Sequence, residues 1–167
     1  MIGNIKIIAV CMCKVYDERN YRIIRALNNF AVENDYRLFV YHTCSDLYWK
    51  TLSEKGEQSV FDLIDYNITD AVVTFEEGVY AENVMTKIRM DAAKYGKPVI
   101  SVGVEHDDCI SIKFGYAKGF EQVVRHVIEQ HGVRDIGFIA GRKDEEHSEE
   151  RIAVFRKLLE EYDIPFR

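Results

Sequence analysis

A strict alternation of short apolar runs with amphipathic stretches constrains this chain more than any other feature. The first run, "IKIIAVCM", is rich in β-branched residues and lacks polar alternation. That is the pattern of a strand buried on both faces of a parallel sheet. In "RNYRIIRALNNFAVENDY", Tyr21, Ile24, Leu27, Ala31 and Val32 recur with helical spacing between charged residues, so one face packs on the sheet. "RLFVYHT" reads as a second strand, followed by a helical region from about Asp46 to Tyr66 in which Gly56 marks a break. "DAVVTF", "KPVISVG" and "CISIKF" are further strands, and "AENVMTKIRMDAAKYG" is a helix ending at Gly96. A helix then starts near Tyr116, "DIGFIAG" is another strand, and "SEERIAVFRKLLEEYDI" is a last helix with Ser148 as its N-cap. Ile7, Ala9, Val72 and Ile100 should lie in the sheet interior. The alternation specifies an α/β fold with a doubly wound parallel sheet, whose ligands sit outside the carboxyl ends of the strands.

Composition narrows the partners. With 167 residues, 47% hydrophobic, the chain is long enough for one or two compact units. A formal charge of −6 argues against nucleic acid or an anionic membrane surface as the main partner, since neither offers counter-charge. The run from Ile5 to Met12 is interrupted by Lys6 and lacks a basic n-region, so it is read as a strand of a cytoplasmic protein rather than a signal segment. Cys11, Cys13, Cys44 and Cys109 are too sparse for a secreted disulfide scaffold and are read as reduced thiols.

Common catalytic motifs fail one by one. A dinucleotide site needs G-x-G-x-x-G after the first strand, where "CMCKVYDERN" holds no glycine. No acidic residue closes that strand, as a phospho-acceptor receiver would require. G-x-S-x-G and H-E-x-x-H do not occur, and "GRKDEEHSEE" lacks the lysine-serine ending of a P-loop. No cofactor is expected. Cys11, Cys13, His42 and Cys44 form two period-two pairs near neighbouring strand ends, and thiolates with imidazole suit zinc or copper(I). Burial as small hydrophobes is the reading favoured for the cysteines. The acidic runs Glu76-Glu77 and Glu105 to Asp108 suit a cation or acid–base work, or else solvated loops.

From Tyr116 to Phe155 the sequence "GFEQVVRHVIEQHGVRDIGFIAG...SEERIAVFRKLLEEYDIPF" resembles the effector domains of the lactose-repressor and purine-repressor family. Gly119, His126, Gly132, Ile136, Ile139, Gly141, Arg151 and Phe155 fall on its G-A-x-x-A-x-x-H-L, G-H-x-x-I-x-x-I-x-G and R-x-x-G-F signatures, with one extra residue near His131. Earlier, "IIRALNNFAVENDYRLFVYHT" resembles the family's first helix and second strand. Those repressors begin with a DNA-reading helix-turn-helix, whereas here the first strand starts by Ile5. The family's Asp-Asn pair before the glycine is Gly115-Tyr116 here, which removes a carboxylate that often faces the effector. "YWKTLSEKGEQSVFDLIDYNITDAVV" and "KGFEQVVRHVIEQHG" are similar to N-terminal sensor regions of bacterial diguanylate cyclase (GGDEF) signalling proteins.

The resemblance implies a periplasmic-binding-protein-like fold of type I, with 1–113 as the first lobe and 114–167 as the start of an incomplete second lobe. It implies a small-molecule sensor without catalytic activity, and Arg151 as an effector contact, a guanidinium fork for carboxylate or hydroxyl groups. Tyr116 is a candidate because it stands in the altered pair. Tyr16, after the first strand, and Phe75, after the third, could stack on a flat ligand. Tyr48 and Trp49 wall a pocket or, as the favoured reading, anchor the following helix. A homodimer is expected, because an incomplete second lobe leaves sheet edges and apolar faces open. The rival readings are a small α/β enzyme using the acidic loops or the Cys/His pairs, and a dimerisation module with a vestigial cleft.

Overall fold

The structure, a computed structural model, describes residues 5–77, 79–141 and 146–166. Five strands, β1 (Lys6–Cys13), β2 (Tyr36–Thr43), β3 (Ala71–Phe75), β4 (Val99–Val102) and β5 (Ile110–Ile112), form one sheet in the order β2-β1-β3-β4-β5. Every pairing is parallel. The chain moves from β1 to β2 in one direction, then back past β1 to β3 and on to β4. Right-handed crossovers therefore place helix α1 (Glu18–Glu33) on one face, and α2 (Leu52–Gln58) and α3 (Glu82–Lys94) on the other. This is the doubly wound sheet that the apolar runs demand.

Period two along β1 divides its residues between the faces. Ala9, Cys11 and Cys13 join Phe61, Ile64, Val72, Met85, Ile88 and Ala92 in one core, beneath α2 and α3. Val10 and Met12 are fully buried on the other face. Ile7, Ala9 and Val72 are interior as expected, but Ile100 is only half-buried because it pairs with Ile110 of the short, exposed edge strand β5.

The region from Asp46 to Tyr66 departs from expectation. Its helix begins only at Leu52, contains Gly56 instead of breaking there, and tightens at Ser59–Leu63 into a 3-10 turn. The start is set by a capping box: Thr51 accepts from the Glu54 amide at 3.2 Å, and the Glu54 carboxylate accepts from the Thr51 amide at 3.0 Å.

The chain divides into two compact units, Met1–Lys113 and Phe114–Arg167. The second is a helix pair, α4 (Tyr116–His131) and α5 (Glu146–Glu161), closed over Val124, Ile128, Phe155, Leu158, Leu159 and Ile164. Gly132 ends α4 with a left-handed φ of 63°. Arg125 pairs with Glu121 within α4 and ties that helix to α5 through an ion pair to Glu161. "DIGFIAG" forms no strand, since the described residues of this unit offer no second strand to complete a ladder. Phe138 packs between Phe120 and Phe155, with centroids 5.0 and 5.3 Å away, while Ile139 is 96% exposed. Ser148 does not cap α5: it lies inside the helix, buried.

Candidate functional site

In the first unit, the loops at the carboxyl ends of β1, β2 and β3 bring together a polar and aromatic rim. Lys14 follows β1 with a left-handed φ of 49°, and Leu47 and Lys50 after β2 take φ of 61° and 55°. Three non-glycine residues in that region, within two neighbouring loops, are backbone strain of the kind that persists where surroundings over-determine a loop. The determinants are visible. Lys14 donates its amide to Thr43 O at 2.8 Å and its ammonium to Asp46 Oδ2 at 2.9 Å. Asn20 from α1 donates to Cys13 O and Lys14 O at 3.0 and 3.1 Å. Glu57 reaches back from α2 so that one carboxylate oxygen accepts from the amides of Cys44 and Ser45 at 2.8 and 2.9 Å.

The electrostatics follow from these contacts. The hydrogen bond from Lys14 holds the Asp46 carboxyl below its usual range, and Asp46 in turn raises the Lys14 ammonium. The Ser45 amide lowers Glu57. Arg19 from α1 pairs with Glu77 at 2.6 Å, linking the start of α1 to the β3 loop.

Tyr16 and Trp49 are 78% and 75% exposed on this rim. Tyr16 stands edge-on to His42, with centroids 5.3 Å apart. Tyr48 meets both Trp49 and Tyr80 edge-on, at 4.6 and 5.2 Å. Trp49 is thus a surface aromatic rather than an anchor in the core, while Tyr48 is half-buried. Phe75 ends β3 half-buried, level with Val102 across the strand pair.

Beside the rim lies a buried polar cluster that the acidic-loop reading did not foresee. Glu76 is neither a solvated loop residue nor a free carboxylate. It accepts from Thr74 Oγ1 at 2.8 Å and from Arg89 Nη1 at 3.1 Å, and its Oε2 lies 2.9 Å from His106 Nε2. Asp108 reaches Arg89 Nε at 3.5 Å. A buried carboxylate needs such partners, and the cluster ties β3, α3 and the loop after β4 together. The sequence signal was an arginine at a core-facing position of α3, between Met85 and Ala92.

The four metal candidates are not brought together. Parallel register pairs Cys11 with Tyr41, Cys13 with Thr43 and Met12 with His42. Cys11 and Cys13 therefore face the core beneath α2 and α3, while His42 lies on the Met12 face. Burial raises the Cys11 thiol strongly and pushes the Cys13 thiol up to about 11, which opposes the thiolate a metal requires. Cys44 is exposed. Among the described residues, no three His, Cys, Asp or Glu side chains gather as a metal-holding group.

In the second unit, Arg151 is half-buried, and its Nε donates to His147 O at 2.8 Å. Tyr116, the first residue of α4, stands edge-on to His147 with centroids 5.2 Å apart. His147 thus connects both candidates of this unit, a link with no signal in the spacing.

A groove of about 480 Å³ is lined by Phe61, Tyr66, Asp62, Lys87, Ile88 and neighbouring residues of α2, the 3-10 turn and α3. No loop at the carboxyl end of a strand is among its lining residues.

No family profile and no curated protein matches the chain. Solved structures do. The transcription regulator CcpA of Lactococcus lactis is 21% identical with a TM-score of 0.70, over 97% of this chain and 56% of that one. A regulator CcpA from Weissella paramesenteroides with bound glucose is 13% identical with a TM-score of 0.70, over 96% and 56%. A periplasmic binding protein/LacI transcriptional regulator from Alkaliphilus metalliredigens, complexed with D-xylulofuranose, is 17% identical with a TM-score of 0.66, over 96% and 54%. The chain spans about half the length of each of these three. Its fold is the α/β fold of periplasmic-binding-protein-like, LacI-type regulators.

Proposed function

We propose that this chain is a ligand-sensing domain of a bacterial regulatory or signalling protein, binding a small polyhydroxylated molecule without transforming it. The observation that carries the reading is the rim at the carboxyl ends of β1 to β3. Exposed Tyr16 and Trp49 offer flat apolar faces there, beside the ordered polar groups Lys14, Asp46 and Glu77. Aromatic faces with a few fixed hydrogen-bonding groups suit a sugar ring. The same fold holds glucose in one relative and D-xylulofuranose in another. Phe75 is proposed as an apolar contact of the first unit, and Arg151 and Tyr116 are proposed as ligand contacts of the second.

The output is assigned to a homodimer in the cytoplasm, with a diguanylate cyclase or a comparable module as the responding partner; this last step rests on sequence similarity alone. Among the described residues no helix is long and apolar enough to cross a membrane. Ligand can bias such a dimer only by binding its states unequally. A second reading, a dimerisation module that binds nothing, is favoured by Gly115-Tyr116 in place of an Asp-Asn pair.

Thermal unfolding with a panel of hexoses and pentuloses tests the proposal. A sugar recovered unchanged that raises the melting temperature, with the shift lost in Tyr16→Ala and Arg151→Ala, is the expected result. Loss of Arg151 should cost the unliganded protein only about 1 kcal/mol, the worth of one hydrogen bond. A flat response to the whole panel favours the dimerisation module, and chemical turnover of a sugar favours an enzyme.

A further inference from the structure

Two imidazoles of the second unit face each other. His126 Nε2 and His131 Nε2 lie 3.1 Å apart, with ring centroids separated by 4.9 Å and planes at 76°. Both residues are exposed, and neither has another hydrogen-bond or ion-pair partner among the described residues. Residues five apart on a helix project about 140° from each other, so their meeting is no consequence of regular helix geometry. His131 is the last residue of α4, and Gly132 then turns left-handed with φ 63°. No following helical turn holds the His131 ring to its own face.

In the metal-free pair, one Nε2–H donates to the other ring, whose proton then sits on Nδ1. The same spacing matches a shared metal ion. Zinc–nitrogen bonds of about 2.0–2.1 Å set two ligand nitrogens about 3.0–3.4 Å apart for angles of about 95–110° at the metal. The observed separation falls inside that range. The end of α4 is also electrostatically suited to a cation, because its last carbonyls carry partial negative charge and the chain as a whole is at −6.

We propose that His126 and His131 form a two-histidine site for an imidazole-preferring divalent transition-metal ion such as nickel or zinc, with water completing the coordination. Glu129 is not the third ligand, since its carboxylate accepts the Tyr162 hydroxyl. Two ligands make an exchangeable site rather than a structural one. Its protein ligands belong wholly to α4, so it stands independently of the sensing role.

Titration calorimetry of the full chain with nickel ion alone, near neutral pH, is the test. One equivalent should bind to the parent, more weakly on acidification because the ligands must be deprotonated. His126→Gln and His131→Gln should each lose at least about tenfold in affinity, the lower end of what is lost even when a group merely orienting a ligand is removed. Parent-like affinity in either variant overturns the proposal, as does failure of the parent to bind at millimolar nickel. Nickel should also protect these two rings of the unmodified protein from acylation by diethyl pyrocarbonate. Unchanged modification of either ring in saturating nickel refutes the site without recourse to a variant.

Discussion

Both carboxylate oxygens of Glu76 lie 3.1 Å from one nitrogen, Nη1 of Arg89, and both residues are buried. Removing one partner of a buried pair strands the other charge. Arg89→Ala should therefore cost about 3–5 kcal/mol in urea unfolding. Arg89→Met combined with Glu76→Leu should cost less than Arg89→Ala alone, because no uncompensated charge remains. A double variant less stable than Arg89→Ala would mean that the cluster contributes net stability beyond mutual neutralisation.

Cys13 should make the protein sensitive to alkali. Its thiol is raised by burial from near 9 to about 11, so the folded state holds the proton more tightly than the unfolded state does. Stability from this group is fully present below pH 9 and is lost as pH rises toward 11. A two-unit shift corresponds to about 2–3 kcal/mol. Cys13→Ala should flatten the fall in unfolding free energy between pH 8 and 10.5 relative to the parent, with pH values chosen from about that window. In the folded parent at pH about 8, iodoacetamide should label Cys44 well before Cys11 or Cys13, as read by mass spectrometry.

The capping box gives a smaller effect with a local readout. Thr51→Ala removes the acceptor of the Glu54 amide and should cost about 1 kcal/mol. Glu54→Ala should cost more, because the buried Glu54 carboxylate also accepts from the Trp49 amide at 3.2 Å. Hydrogen exchange at the first amides of α2 should speed up in both variants. Unchanged exchange there would show that packing, not the cap, starts the helix.

The sheet was legible because its signal is local: β-branched runs such as "IIAVC" and "AVVTF" cannot be solvated cheaply. The start of α2 is equally legible in "TLSE", a capping-box spelling that fixes the helix start more firmly than the glycine at position 56 fixes a break. The failure at "DIGFIAG" is of a different kind. An apolar run states that a strand can form, whereas pairing depends on a neighbour that the run itself does not encode. The Glu76 cluster joins residues 76, 89 and 106 across three elements, and only the parallel register brings them together. For the same reason the spacing of His42 alone does not tell that it lies on the face opposite Cys11 and Cys13; the register does. Tyr16 on the rim was legible because the end of a parallel strand fixes where its loop emerges.

Gly103 supplies the sharpest backbone prediction. It follows β4 at φ 103°, and a Cβ built there would lie 2.7 Å from Glu77 Cβ and 3.0 Å from Glu77 N. Both obstacles act together: an L side chain rarely adopts that φ, and the obstructing atoms belong to the backbone and first carbon of the β3 loop, which cannot rotate away. The Glu76 amide is tied to Val102 O at 2.9 Å, and the Gly103 amide to Ile112 O at 2.9 Å, so neither strand end can yield without losing a ladder bond. Gly103→Ala should therefore destabilise the first unit by more than about 1 kcal/mol, beyond the usual scale for glycine replacement at an accommodating site. It should also displace Glu77 from Arg19, and with it the β3 side of the rim. The expected signature is a lower melting temperature together with chemical-shift changes at Arg19, Glu77 and Tyr16. A variant as stable as the parent, with the amides of Glu77 and Gly103 equally protected, would show that the two loops do not approach as closely as this geometry requires.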